Sequence, residues 1–395
     1  MLIRKAYKFR IYPNKAQQAA LAVQFGHTRF VYNHFLALRI ETYEKTGKGL
    51  SYAEATKMLT ALKRDPEHEW LKEADSQALQ QTLKDLDRAY QNFFEKRAGF
   101  PRFKSRRAKQ AYRYPQRVKA DPEGRCTYLP KVGWVKTVFH RPLEGKIKNV
   151  TVSRTKSGCY YVSVQVEMDI ETPQYQGGAV GLDLGLLHYA VLSDGTTVPN
   201  PRNLLRSEKK LVRLQRRLSR RKVGSGGRQK ARLQVSRMQE RIANQLKDFQ
   251  HKLTRRLVEE YGLIGLESLH VKGMMGNGRL AKHIGDTAWG EFCRQLVYKG
   301  EWYGCRIEQI DPWYPSSKRC SACGAVKEAM PLHVRQWACP ECQVQHDRDV
   351  NAARNILMQA TVGTMGSHAG GVDVRPVCQG QAGTLKPEAH HESGG

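Results

Sequence analysis

The stretch AVGLDLG at residues 179–185 sets a single acid, Asp183, inside an otherwise apolar run. So short a run reads as a buried strand, where an inward carboxylate is costly unless it is paired or bound to a cation. A second run with the same anomaly, LIGLES at 263–268, carries Glu267. Around these two, LHYAVLSDG (187–195) and CRIEQID (305–311) read as further strands, and long helical patterns separate them, with a last helix from about residue 350. Mixed strands with crossover helices predict an α/β domain.

The chain before this domain divides by hydrophobic period. Tyr7, Phe9 and Ile11 alternate with Lys8 and Arg10, predicting a strand that ends at Pro13. Leu21, Phe25, Tyr32 and Phe35, then Leu79, Leu83, Leu86, Tyr90 and Phe93, fall at helical spacing, so residues 14–97 predict an all-helical module. From about residue 117 the period becomes two. Val150 and Val152, then Tyr160, Val162, Val164 and Val166, predict a hairpin in a small β domain that the first strand completes. Between module and hairpin, AGFPRFKSRRAKQAYRYPQR (98–117) interleaves aromatics with cations. That pattern suits a nucleic-acid loop and ordinary packing equally well.

Charge points to a polyanion. Sixty-six Lys and Arg face 37 Asp and Glu, a formal charge of +29 in 395 residues. Nucleic acid is the default partner for such a surface, against the plainer reading of a protein that merely adheres to phosphate. Residues 206–232 concentrate the charge, with twelve Lys or Arg against one acid, Glu208. GSGG at 224–227 reads as a turn, and the apolar steps from Val235 to Leu257 as a second helix, so the pair predicts a helical hairpin with a basic first arm. Lys209, Lys210, Arg213, Arg216, Arg217, Arg220 and Arg221 are its expected contacts with nucleic-acid backbone. No run approaches the roughly 18 apolar residues that span a bilayer, and the start has no signal-peptide core. The expectation is a soluble, intracellular protein without a membrane partner.

Nine cysteines include Cys320, Cys323, Cys339 and Cys342 in the pattern C-x2-C-x15-C-x2-C. Two such knuckles on a hairpin can hold four thiolates around one Zn²⁺, a closed structural site. The quartet lies between the strand near 310 and the last helix, and so reads as an insertion in the α/β domain. HDRDVNAARNI (346–356) follows it. Asp347 or Asp349 alone would serve as a helix cap. Together with Asp183 and Glu267 at one sheet edge, Asp349 completes what a divalent-metal phosphodiesterase requires: oxygen ligands for two Mg²⁺ ions roughly 3.5–4 Å apart.

The order GLDLG, basic hairpin, LIGLESL, paired-cysteine ribbon and HDRDVNAARNI resembles the TnpB proteins, transposon-encoded RNA-guided nucleases akin to the Cas12 effectors of CRISPR systems. AYKFRIYPNKAQQAAL, RFVYNHFLALR, GFPRFK and DFQHKLTRRLVEEYGLI are also similar to that family, and the likeness covers residues 1–357. The resemblance implies a multidomain α+β protein: a β-barrel wedge domain (1–13 and 115–172) with a helical recognition insertion (14–114), and an RNase H-like RuvC nuclease domain (176–315 and 343–362) with an inserted zinc ribbon (316–342). Residues 363–395, rich in Gly, read as a disordered tail. It also implies a guide RNA from the transposon end, a double-stranded DNA target cut beside a short motif, one protein monomer per RNA, and a prokaryotic cytoplasmic, nucleoid-associated location. Asp183, Glu267 and Asp349 match the three RuvC acids, with Asp347 outside the register; Tyr52 and Gln80 match the face toward the target-adjacent motif. The presence of all three acids argues against a nuclease-silent RNA-guided repressor. An RNA-independent RuvC-like resolvase remains as the other alternative, because the same fold supports it.

Overall fold

A computed structural model describes residues 1–365 except 108, 172, 175, 176, 279 and 332. The chain forms two compact units, residues 1–171 with 214–240, and residues 172–213 with those from 241 onward. The predicted tail lies outside the described residues from 366, and the last helix runs through Met365, past the expected boundary at 363.

The first unit begins with β1 (Leu2–Tyr12), whose Ile3, Tyr7, Phe9 and Ile11 are buried while Arg4, Lys8 and Arg10 face out. Asn14 caps α1 (Lys15–Thr46) in a reciprocal capping box with Gln17, and left-handed Gly47 ends it. Ser51 and Glu54 start α2 (Tyr52–Leu62) in the same way; a 3-10 turn (Pro66–Glu73) and α3 (Ser76–Phe94) follow. These helices share a core of Val31, Phe35, Leu59, Leu71, Leu79, Leu83 and Leu86.

Six strands then join β1 in one antiparallel sheet: β2 (Gln110–Tyr114), β3 (Lys119–Asp121), β4 (Cys126–Leu129), β5 (Gly133–Val138), β6 (Lys146–Arg154) and β7 (Tyr160–Asp169). Their order is β2-β6-β7-β1-β5-β4-β3. The sheet curls enough for the Tyr114 hydroxyl on β2 to donate to the Pro130 carbonyl after β4, at 2.7 Å. Strand β2 lies before the expected boundary at 114, and it decides half of the open loop reading in favour of packing. Tyr112 and Tyr114 are 3% and 0% exposed and pack in the sheet's core, whereas Phe100 and Phe103, on the same cation-rich stretch, are 46% and 58% exposed. Packing claims the tyrosines because they alternate along a strand paired with β6.

The second unit holds a mixed sheet of β8 (Gly178–Leu184), β9 (His188–Leu192), β10 (Thr197–Pro199), β11 (Tyr261–Glu267) and β12 (Arg306–Ile310) in the order β10-β9-β8-β11-β12. The first three strands run as an antiparallel meander, and β8, β11 and β12 are parallel to one another. Between β10 and β11 come α4 (Asn203–Ser219) and α5 (Gly226–Glu260). Arg228 closes their turn by donating to the carbonyls of Leu218 and Arg221 at 3.1 and 2.8 Å. Helices α6 (Val271–Met274), α7 (Ala281–Thr287) and α8 (Trp289–Tyr303) lead into β12. After β12 the cysteine ribbon contributes the short pair β13 (Gln336–Ala338) and β14 (Gln345–Asp347), and β14 runs directly into α9 (Arg348–Met365). The ribbon hairpin therefore extends past its expected limit at 342. Val180, Leu182, Ile264, Leu266, Leu257 and Phe292 are among the residues of the core beneath the sheet.

Candidate active site and metal centre

Two glycines bring the acids together. Gly181 on β8 stands opposite Gly265 on β11 in the parallel register. A Cβ on Gly181 would lie 2.0 Å from the Ala353 carbonyl oxygen, and one on Gly265 would lie 2.9 Å from the Ala360 Cβ. Helix α9 thus rests directly on this face of the sheet. Side chains two residues apart on a strand share a face, so Asp183 and Glu267 rise on the side that α9 covers. Asp349 lies in the first turn of that helix.

The cluster is electrostatically strained. Burial, with the negative charges of Glu267 and Asp349, pushes the Asp183 carboxyl up to about 8, against the smaller pull of Arg348 and Arg335. Burial also raises Glu267, which accepts a hydrogen bond from the Ser316 hydroxyl. Arg335 of the ribbon donates through one nitrogen to both Asp349 oxygens, at 3.2 and 3.3 Å. Asp347 caps the helix instead, one of its carboxylate oxygens accepting from the backbone N–H groups of Asp349 and Val350, both at 3.0 Å. Among the described residues, the acid trio does not form a set with all ligand atoms within 4.8 Å, as the four cysteines and Asp65, Glu67 and His68 do. Two desolvated carboxylates, one of them repelled by the other and by Asp349, fit hard divalent cations.

The cysteines fit zinc. Cys320 and Cys342 place their sulfurs 3.7 Å apart, and Cys323 and Cys339 theirs 3.6 Å apart. Tetrahedral zinc with Zn–S bonds of about 2.3 Å needs edges of roughly 3.8 Å. Each knuckle has the same backbone: left-handed Gly324 and Gln343 follow the second cysteines and donate to the carbonyls of Cys320 and Cys339, at 2.9 and 3.0 Å. The N–H groups of Cys342 and Glu341 pull the Cys339 thiol down to about 7. Against the pull of the Ala325 N–H, local desolvation and its three thiol neighbours drive Cys323 up to about 12. A cation resolves that mutual suppression of charge.

The chain is similar to known proteins over most of its length. A family profile described as "Probable transposase" matches residues 161–278, one described as "Cas12f1-like, TNB domain" matches 289–356, and a "Helix-turn-helix domain" profile matches 1–48. A Streptomyces pristinaespiralis protein named as an RNA-guided DNA endonuclease is 40% identical over 358 residues, spanning 90% of this chain and 89% of that protein. The chain belongs to the TnpB family. InsQ of Escherichia coli K12, named likewise, is 39% identical over 89% of this TnpB chain and 91% of its own length. A cryo-EM structure of a Cas12f1–sgRNA–target DNA complex covers 90% of the chain and 99% of its own at 15% identity and a TM-score of 0.36. Residues 1–48 of this TnpB form strand β1 and one unbroken helix, rather than two helices about a turn.

Two asparagines that sequence reasoning passed over tie ribbon to acid cluster. Asn351, buried on α9, accepts from the Ser321 N–H at 2.9 Å and donates to the Arg319 carbonyl at 2.7 Å. One turn later Asn355 donates to the carbonyls of Ser316 and Arg319, at 2.8 and 2.6 Å. The segment that supplies Ser316 to Glu267 and Cys320 to the knuckle is thereby clamped to the helix that carries Asp349. Asparagines one helical turn apart, both in the motif HDRDVNAARNI, were the available signal.

The expected nucleic-acid residues fall in two groups. Lys209, Lys210, Arg213, Arg216, Arg217, Arg220 and Arg221 are all exposed on and just beyond α4, and none is ion-paired among the described residues. Tyr52 opens α2 with the Lys84 ammonium 5.7 Å from its ring, and exposed Gln80 lies one turn before Lys84 on α3. No helix among the described residues is long and apolar enough to cross a membrane.

Proposed function

We propose that this TnpB is an RNA-guided DNA endonuclease that hydrolyses double-stranded target DNA beside a short transposon-associated motif. The observation that carries this reading is the convergence of Asp183, Glu267 and Asp349 on the face where Gly181 and Gly265 admit α9. Those three carboxylates would hold two Mg²⁺ ions, which when bound supply Lewis acidity to the scissile phosphate and lower the pKa of water. Ser316 orients Glu267, and Arg335 restrains Asp349. The four cysteines hold a structural Zn²⁺.

The same proposal assigns the parts. The meander of β10, β9 and β8 beside parallel β11 and β12 supports an RNase H-like RuvC domain, interrupted by the zinc ribbon. The curled seven-stranded sheet is the wedge domain and the helices between β1 and β2 the recognition module, with Tyr52 and Gln80 toward the target-adjacent motif. The basic arm of α4 contacts nucleic-acid backbone. One chain works with one RNA made from the transposon end, in the prokaryotic cytoplasm. Sequence reading is then left to base pairing.

The test is to purify the protein from its host, sequence the RNA that accompanies it, and incubate the complex with matching DNA and Mg²⁺. Cleavage by wild type, and binding without cleavage by Asp183→Ala, is the expected result. Cleavage of branched DNA that survives RNase treatment would replace the proposal with a resolvase.

A further inference from the structure

His346 lies outside both the cysteine quartet and the acid trio, yet touches the first and immediately precedes the cap of the second. It sits on β14, 5% exposed, paired in register with Trp337 of β13, and its ring packs on the indole with centroids 4.9 Å apart. Its Nε2 is 3.1 Å from the Cys320 sulfur. Two nitrogen and sulfur ligands of one tetrahedral zinc would stand roughly 3.6 Å apart. The shorter separation, and four sulfurs already spaced as a complete tetrahedron, make His346 a hydrogen-bond partner rather than a fifth ligand. A metal-bound thiolate has no proton, so the imidazole nitrogen facing it must carry one.

We propose that His346 is a positioning residue of the metal knuckle: its Nε2–H donates to the Cys320 thiolate and holds the loaded ribbon to the strand that feeds α9. The inference rests on the zinc assignment above and adds the residue that secures it. Cys320 is the thiol flanked by Arg319 and Ser321, both bonded to Asn351, so this sulfur is the point where the ribbon is tied to the helix from two sides. The donor lowers the charge density on the sulfur, so the bound thiolate is harder to displace by protons or chelators.

The experiment measures Zn²⁺ affinity of the full chain by competition with a chromophoric chelator, and records Co²⁺ spectra of wild type, His346→Phe and His346→Gln. Phenylalanine keeps a ring against Trp337 but has no donor; glutamine keeps an N–H. Expected is a 10–100-fold loss of affinity in His346→Phe, a substantial recovery in His346→Gln, and a four-thiolate Co²⁺ spectrum throughout. Melting at saturating Zn²⁺ verifies that each variant is folded. Equal affinity in His346→Phe, or equal loss in both variants, would overturn the proposal, as would a nitrogen-ligated wild-type spectrum that changes in His346→Phe. A wild-type chain without a four-thiolate site would instead overturn the zinc assignment itself.

Discussion

Gly181 and Gly265 face one another across two parallel strands, and each stands two residues before an acid of the cluster. The pair leaves no room for a methyl group, because α9 occupies the space that a Cβ would need, with its backbone at Gly181 and first with the Ala360 side chain at Gly265. Gly181→Ala should cost roughly 1–3 kcal/mol or more and abolish cleavage by lifting Asp349 away from Asp183. Gly265→Ala, which meets the side chain of Ala360 first, should cost less. Chemical denaturation of the two variants side by side checks the order; a neutral Gly181→Ala would refute the account.

Asp183 trades stability for its place among Glu267 and Asp349. Asp183→Asn removes a buried, repelled charge, so the metal-free variant should be more stable than wild type at pH 8 by on the order of 1–3 kcal/mol. Mg²⁺ should raise the melting temperature of wild type and leave the variant unmoved. Calorimetry with and without Mg²⁺ separates the two.

Ser316 is the sole side chain among the described residues seen to donate to Glu267. Ser316→Ala should leave Zn²⁺ binding intact and reduce the cleavage rate by roughly ten- to a hundredfold through loss of orientation. An unchanged single-turnover rate would show that Glu267 is held by its strand alone.

Lys299 on α8 is buried, and its ammonium donates to the His251 carbonyl and the Thr254 hydroxyl of α5, each at 2.7 Å. Burial lowers its pKa to about 8. A lysine whose folded pKa is depressed binds fewer protons folded than unfolded, so its penalty is fully present below pH 8 and disappears as pH rises from about 8 toward the unfolded value near 10.4. Lys299→Met should flatten this rise, by about 2 kcal/mol relative to wild type across the window. Urea midpoints of both proteins at pH 7.5, 9 and 10, as a difference, report it.

The basic arm should act through charge alone. Replacing Arg216, Arg217, Arg220 and Arg221 by Ala should weaken RNA binding and reduce the slope of log K against log salt by up to about 3, at roughly 0.7 per phosphate released. A slope equal to that of wild type would place the RNA elsewhere.

What the sequence disclosed, and what it withheld, follows from range. Alternation along β1 and β7 and the anomaly of an acid in an apolar run are local patterns, readable without neighbours. The cysteine spacing is equally local. The glycine pair was present as two copies of Gly-Leu-acid, but its meaning depends on a register between strands about eighty residues apart and on a helix still further along. Asn351, Asn355 and Ser316 look like ordinary polar residues until the ribbon folds back over α9. Tyr112 and Tyr114 stayed open between loop and packing for the same reason: the partners that decide for packing are on β6. Between Asp347 and Asp349, the family register favoured Asp349, and hydrogen-bond geometry distinguishes the cap from the acid beside Arg335.

Because α9 follows every other described element in the chain, a ribosome delivers Asp183 and Glu267 long before Asp349. A chain broken off in the ribbon has two of the acids and an uncovered sheet face, with Gly181 and Gly265 bare. Such a fragment lacks the third acid of the proposed metal site and leaves that sheet face open to proteases. Synthesis of α9 is therefore the step that completes the acid cluster, and a chain interrupted before it carries an incomplete site.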